Sequence, residues 1–334
     1  MEASHKERFL YFGSNLVLIW LAIFIYLLNS YYHSFLLPGT KFFILSCALI
    51  YTAYFPLYVL FHRFAKASKG YLIINGLLRL LPWRALKEGE TRGFNKEEKT
   101  ALLFFVVKFY FLPLMINFAV GNFGGAVSTL SNFEPTRLLE PTYFITATYP
   151  LLILLIFFID TFYFAFGYLF ESSGLQNSVR SVDTTVLGWV SALLCYPPFN
   201  SSITEQFFPW YPNLYTSFGS TTATVIGYVF ILLALFVYIA GTLALGTKCS
   251  NLTNRGIVSH GPYAYIRHPH YTSKHLAWWI ALIPALSVAG FISMLAWSSI
   301  YFIRALTEER HLLADPEYQD YVKKVPYRFI PGIY

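Results

Sequence analysis

Residues 255–275 read RGIVSHGPYAYIRHPHYTSKH. A long apolar run precedes this stretch, and another begins directly after it. Within it lie two Gly, two Pro, three Tyr, two Arg and four His. Polar groups next to lipid must be satisfied or must face a cavity, so such a segment between membrane-type runs requires a reason. Gly261-Pro262 breaks the preceding helix and sets a turn. His268 precedes Pro269, which biases His268 towards extended backbone and suits Pro269 to the first turn of a new helix. The amides of His270, Tyr271 and Thr272 then become unpaired donors at a helix N-terminus, a natural seat for a carboxylate or phosphate. Arg267 and His268 stand beside that seat, and Tyr263, Tyr265 and Tyr271 offer faces to a flat or cationic ligand. The plainer alternative is a basic juxtamembrane loop that touches lipid headgroups.

Working outward, the 334 residues are 56% hydrophobic, 20% aromatic and 12% charged. Long apolar runs with so few charges predict an all-α, polytopic integral membrane bundle, and exclude a soluble globular domain. The formal charge of +7 does not point to nucleic acid, because the basic residues sit between apolar runs, where membrane orientation and anionic lipid explain them. Cys47, Cys195 and Cys249 have no metal or redox spacing, and no metal site is expected.

About six spans plus a C-terminal helical hairpin are expected. The apolar runs are Phe9–Asn29, Phe42–Phe61, Ala101–Val120, Thr142–Phe170, a short or broken run at Val186–Cys195, and Thr222–Leu245. The first is too long for a signal-peptide core. Between 63 and 99 lie nine Lys/Arg against four Glu, and the middle of that connection, 71–81, reads as an amphipathic helix on the membrane surface. Asn122 to Asn132, rich in Gly, Ser and Asn, reads as a loop. Asp160 is an intramembrane carboxylate and so a candidate substrate contact or a partner for a neighbouring helix. Leu276–Ile283, Pro284 and Leu286–Ile303 form the hairpin, whose first arm is too short to span.

Lys/Arg counting sets the orientation. With a cytoplasmic N-terminus, that side holds Lys6, Arg8, the basic connection, Arg180 and nine Lys/Arg from Lys248 to Arg328, against Lys41 and Arg137 opposite. Both termini and the 255–275 stretch are therefore expected in the cytoplasm.

The tail, TEERHLLADPEYQDYVKKVPYRFIPGIY, forms the second half of the constellation. Glu308 and Glu309 leave the membrane helix about 100° apart, so one of them at most faces a given ligand. A pair of Glu308 with Arg304 along the helix is the cheap alternative. Asp315-Pro316-Glu317 has the form of an N-cap, a first-turn proline and an early acid. The short helix it opens carries Tyr318 and Tyr321 on one face.

Together, RGIVSHGPYAYIRHPHY and EERHLLADPEYQDYVKKVPYRFIPGIY resemble the isoprenylcysteine carboxyl methyltransferase and phospholipid methyltransferase superfamily of integral membrane enzymes. The resemblance covers Lys248 to Tyr334. It divides the chain into residues 1–247, a membrane-spanning region of unassigned role, and 248–334, a methyltransferase-like cofactor-binding region. It implies S-adenosylmethionine as cofactor in a cytoplasmic pocket, and a lipid or lipid-linked acceptor arriving from the bilayer of the plasma membrane, inner membrane or endoplasmic reticulum. The cofactor residues it implies are Gly261, Pro262, Tyr263, His268, Pro269, Tyr271, Glu308, Glu309, Tyr318 and Arg328, with Tyr321 beside them. His268 and Arg267 are the implied catalytic residues, and His275 and Asp160 the candidates facing substrate; Arg180 and Asp183 are polar enough to join them. Where the family carries a small Gly two places after the motif Tyr, this chain has Ser273. Two other readings stay open: an NADPH-dependent oxidoreductase resembling sterol reductases, whose C-terminus is similar to VPYRFIPGIY, and a non-catalytic lipid-binding membrane protein.

Overall fold

The computed structural model describes residues 4–61, 67–83, 86 and 92–333. Its described residues are mostly helical, with one two-residue strand pair, Ser181–Val182 with Thr253–Asn254. Six of its helices are long and apolar enough to cross a membrane: His5–Leu28, Pro38–Phe61, Lys96–Leu130, Pro141–Leu169, Thr221–Lys248 and Val288–Leu312. The chain forms two compact units, Met1–Asn117 and Phe118–Tyr334.

The first unit holds α1 (His5–Leu28), α2 (Ser30–Phe35), α3 (Pro38–Phe61), α4 (Lys69–Leu80) and the start of α5 (Lys96–Leu130). Ser4 and Glu7 close a capping box that starts α1, satisfying two amides that lack helical partners. Trp20 donates to Thr52 (3.0 Å) and Tyr26 to the Phe109 carbonyl (2.6 Å), pinning α1 to α3 and α5. The surface-helix segment is indeed helical as α4. It buries Gly70, Ile73, Gly76 and Arg79. Arg79 pairs with Glu98, and both side chains are buried. Arg63, Lys66, Arg84 and Lys87 of the basic connection lie outside the described residues.

The Gly/Ser/Asn-rich segment 122–132 is not the expected loop. Helix α5 continues to Leu130. Each helical Gly costs about 0.5–1 kcal/mol, but Gly125 allows close approach to the Leu154 side chain and Phe123 packs on Phe158 at 5.3 Å. Propensity yields to packing here.

In the second unit, α6 (Pro141–Tyr143) runs through one π turn into α7 (Tyr149–Leu169). After the Ser181–Val182 strand come α8 (Val186–Leu193) and α9 (Glu205–Phe207), then α10 (Thr221–Leu245), α11 (Pro269–Leu282), α12 (Val288–Leu312) and α13 (Pro316–Lys324). The core packs α7, α10 and α11 through Ile153, Ile231, Leu235, Ala277 and Ala281, with Tyr149 stacked on Tyr228 at 3.7 Å. Glycines at Gly167 and Gly241 permit close approaches: a Cβ at Gly241 would meet the His270 ring.

The fifth apolar run is broken. Eight residues of α8 are too few to span. Near its end Ser191 meets Thr307, while Pro209 and Phe208 accept hydrogen bonds from Ser293 and Trp297. Thr307 and Ser293 lie roughly 21 Å apart along α12 at the α-helical rise. Residues 191–209 therefore descend beside α12 in short helical pieces.

Candidate functional site

Gly261, with φ of +62°, ends the loop after α10 in the left-handed region that suits glycine. The turn Gly261–Ala264 then delivers Tyr263 inward. Pro269 occupies the first turn of α11, as its fixed φ favours. The Thr272 amide already bonds to the His268 carbonyl (3.1 Å), so it is not a free donor; of the three amides expected there, those of His270 and Tyr271 are left to the first turn.

The tail returns to this turn. The Arg267 and His268 amides donate to the Tyr327 and Arg328 carbonyls, each at 2.9 Å. Arg267 Nη1 reaches the Val325 and Pro326 carbonyls at 2.8 and 2.6 Å. Tyr318 and Tyr321 are buried against Tyr263, and the Tyr321 hydroxyl donates to the Tyr263 carbonyl (2.7 Å). Asp315 caps α13 and also accepts from Asn254 (2.8 Å) and Arg180 (2.9 Å). Burial alone would raise the Asp315 pKa, but the hydrogen bonds from Asn254 and Arg180 hold it below its ordinary value.

Glu309 is the centre of this closure. It is 4% exposed and takes Arg267 Nε at 2.7 Å, His268 Nε2 at 3.1 Å and Arg328 Nε at 2.8 Å. Because a carboxylate only accepts, His268 carries its proton on Nε2. The His268 ring lies stacked between Tyr271 and Phe329. Glu308 diverges, as adjacent helical positions must, and accepts from the Tyr271 hydroxyl (2.7 Å). Its expected intrahelical partner, Arg304, turns the other way, to Asn251.

A second network runs into the helix core. Thr242 donates to Asp160 Oδ1 and Tyr238 to Asp160 Oδ2, both at 2.6 Å. With its only proton given to Asp160, Thr242 accepts from His270 Nε2 (2.8 Å). His270 Nδ1 is then the acceptor for the Tyr263 hydroxyl (2.6 Å). The donors run in one direction, Tyr263 to His270 to Thr242 to Asp160. Burial, with help from Lys274, pushes the His270 pKa down to about 3, which keeps that ring neutral as the relay requires.

The structure therefore gathers Tyr263, Arg267, His268, Pro269, Tyr271, Glu308, Glu309, Tyr318 and Arg328 around one turn, and joins Asp160 to them through two side chains. His275 lies one helical turn beyond Tyr271 and bonds to its carbonyl through Nδ1 (2.8 Å). Ser273 directs its hydroxyl back to the Pro269 carbonyl (2.6 Å), within its own helix. Gly261 and Pro262 shape the turn. Arg180 and Asp183 do not reach this cluster: Arg180 clasps Asp315 and Glu317, and Asp183 caps the turn before α8. Thr242, Tyr238 and Asn251 escaped the sequence reading, and Arg304 entered it only as a helical partner for Glu308. Their one signal was polarity inside or at the edge of apolar runs.

Residues 222–315 match the family model of phospholipid methyltransferase. No curated protein and no solved structure matches the chain. The match begins upstream of Lys248, so α10, which carries Tyr238 and Thr242, belongs to the family region together with the turn and the paired acids. Residues 222–315 thus match a family of the isoprenylcysteine carboxyl methyltransferase and phospholipid methyltransferase superfamily of membrane methyltransferases.

Proposed function

We propose that the protein transfers a methyl group from S-adenosylmethionine to a lipid or lipid-linked acceptor, such as a prenylcysteine carboxylate or a phospholipid amine, at the cytoplasmic membrane face. The observation that carries this reading is the convergence of Glu308, Glu309, Tyr271 and the Arg267-His268 turn within the matched family region. The excess of Lys/Arg in the connections on that side supports the cytoplasmic placement.

The donor set fits the cofactor. A sulfonium with an ammonium, a carboxylate and an adenine needs one acid, one donor cluster and aromatic faces. Glu308, held by a single phenol among the described residues, would take the ammonium, because both oxygens of Glu309 are already engaged. The amides of the first turn of α11 offer one seat for the carboxylate, and Tyr263 and Tyr271 would supply ring faces. When bound, S-adenosylmethionine supplies a methyl group activated by the sulfonium charge. The residues act by orienting the reactants and excluding water, which account for most of the rate in an in-line displacement.

A carboxylate acceptor needs no base. An amine or thiol must lose a proton, and His275 is placed for that task. Its Nδ1 donates to a carbonyl, so its Nε2 holds a lone pair, which is buried and without a partner among the described residues. His268 is the weaker candidate, because its Nε2 proton is committed to Glu309.

Binding of S-adenosylmethionine and NADPH to detergent-purified protein tests the reading. Micromolar S-adenosylmethionine binding, weakened at least tenfold by Glu308→Gln, is expected. Tight NADPH binding without S-adenosylmethionine binding overturns it in favour of a reductase.

A further inference from the structure

Arg304 is 8% exposed and lies on α12 in the second unit. Its guanidinium faces the rings of Tyr196, Tyr271 and Tyr301, with 5.4, 5.4 and 5.8 Å to the centroids. Its hydrogen-bond partners among the described residues are neutral groups: the Oδ1 of Asn251, the Tyr196 hydroxyl and the Cys195 thiol. No carboxylate lies within ion-pairing distance of it among those residues. Buried arginines are ordinarily matched by an acid, because desolvating a charge without compensation costs several kcal/mol.

Asn251 supplies the second observation. It is 4% exposed, and its Nδ2 is buried without a hydrogen-bond partner. The amide is not free to flip: Arg304 has only donors, so Oδ1 must face it and Nδ2 must point elsewhere. A buried guanidinium without an acid thus stands beside an orphaned amide donor. Both groups lack the same thing, an acceptor oxygen carrying negative charge. The Tyr271 ring that Arg304 touches is also the one whose hydroxyl holds Glu308.

We propose that Arg304 and Asn251 form the seat of an oxyanion, a carboxylate or phosphate, carried by the acceptor lipid or by the methyl donor. The seat rests on the methyl-transfer reading only for these two candidate sources. Aromatic walls keep the guanidinium dry, which strengthens its attraction for an anion, and the Asn251 amide adds a neutral donor that fixes direction.

The test uses full-length protein in detergent and the variant Asn251→Asp, which places a carboxylate against Arg304. If the pair awaits an anion, this variant satisfies the guanidinium internally. It keeps or raises the melting temperature and removes oxyanion binding. Four probes are titrated: S-adenosylmethionine, its decarboxylated analogue, short-chain phosphatidic acid, and the diacylglycerol with the same chains. A wild-type preference of at least tenfold for S-adenosylmethionine over the decarboxylated form, erased in Asn251→Asp, assigns the seat to the donor carboxylate. The same pattern for phosphatidic acid over diacylglycerol, with donor binding unchanged, assigns it to the acceptor. If wild type shows neither preference, or if Asn251→Asp and Arg304→Met both leave the preferences intact, the proposal is overturned. Should wild type not bind S-adenosylmethionine yet prefer phosphatidic acid, the methyl-transfer reading fails and the oxyanion seat stands.

Discussion

Two positions five residues apart on α12 treat charge in opposite ways. Glu309 draws three nitrogen donors from the turn before α11 and from the tail, so a buried anion is over-supplied with partners. Arg304 has three aromatic rings and only neutral hydrogen-bond partners among the described residues. The first arrangement is complete and works as a fastener, tying residues 267–268 to residue 328. The second is incomplete and works as a receptor. Charges that are saturated hold the fold; charges left open hold ligands.

The strongest way to break this comparison is Glu309→Ala. It strands Arg267 and the tail around an empty position, and the expected loss is about 3–5 kcal/mol of stability, read by thermal or denaturant unfolding in detergent. A neutral result would remove the fastener role. Next comes Thr242→Val, which preserves shape but cuts the relay between His270 and Asp160. An expected loss of about 1–3 kcal/mol follows from two buried polar groups losing a partner, and restoration by Thr242→Ser would show that the hydroxyl is the cause. Arg304→Met sharpens the other side: stability should stay within ~1 kcal/mol of wild type, because the lost cation–π and amide contacts are offset by removing a buried charge without a counter-ion. A large loss would place Arg304 among the fasteners.

The smallest effect is expected at the clasp of Arg180 on Asp315 and Glu317. The folded pKa of Asp315 is lowered, so its contribution is present above the ordinary carboxylate pKa and is lost as pH falls through the folded value. Thermal melts of wild type and Asp315→Asn should differ by a few tenths of a kcal/mol at pH 7, and converge once the pH has fallen below the lowered folded value. A constant gap across that range would show that the carboxylate charge plays no part.

Much of the site was legible because its residues sit in two dense polar stretches flanked by apolar runs. Pro269 at a first helical turn, Asp315 as an N-cap and the divergence of Glu308 from Glu309 all follow from local geometry. Segment 122–132 misled because glycine content was weighed without the partner helix: Leu154 against Gly125 and Phe158 against Phe123 explain why the helix continues. Thr242 was invisible for a related reason. A hydroxyl in an apolar helix ordinarily bonds to its own backbone, and nothing local announces that it bridges Asp160 and His270.

The sequence by itself determined the class of molecule, the long apolar helices, and the two motifs that meet at the turn before α11, because hydrophobic periodicity, proline and capping residues act over a few positions. The tertiary structure decided which acid is sealed and which stays open, which way the Asn251 amide must face, and that Arg304 turns from Glu308 to Asn251. Those outcomes depend on partners 19 to 53 residues away, and the choice among partners at such separations is made by packing, not by local pattern.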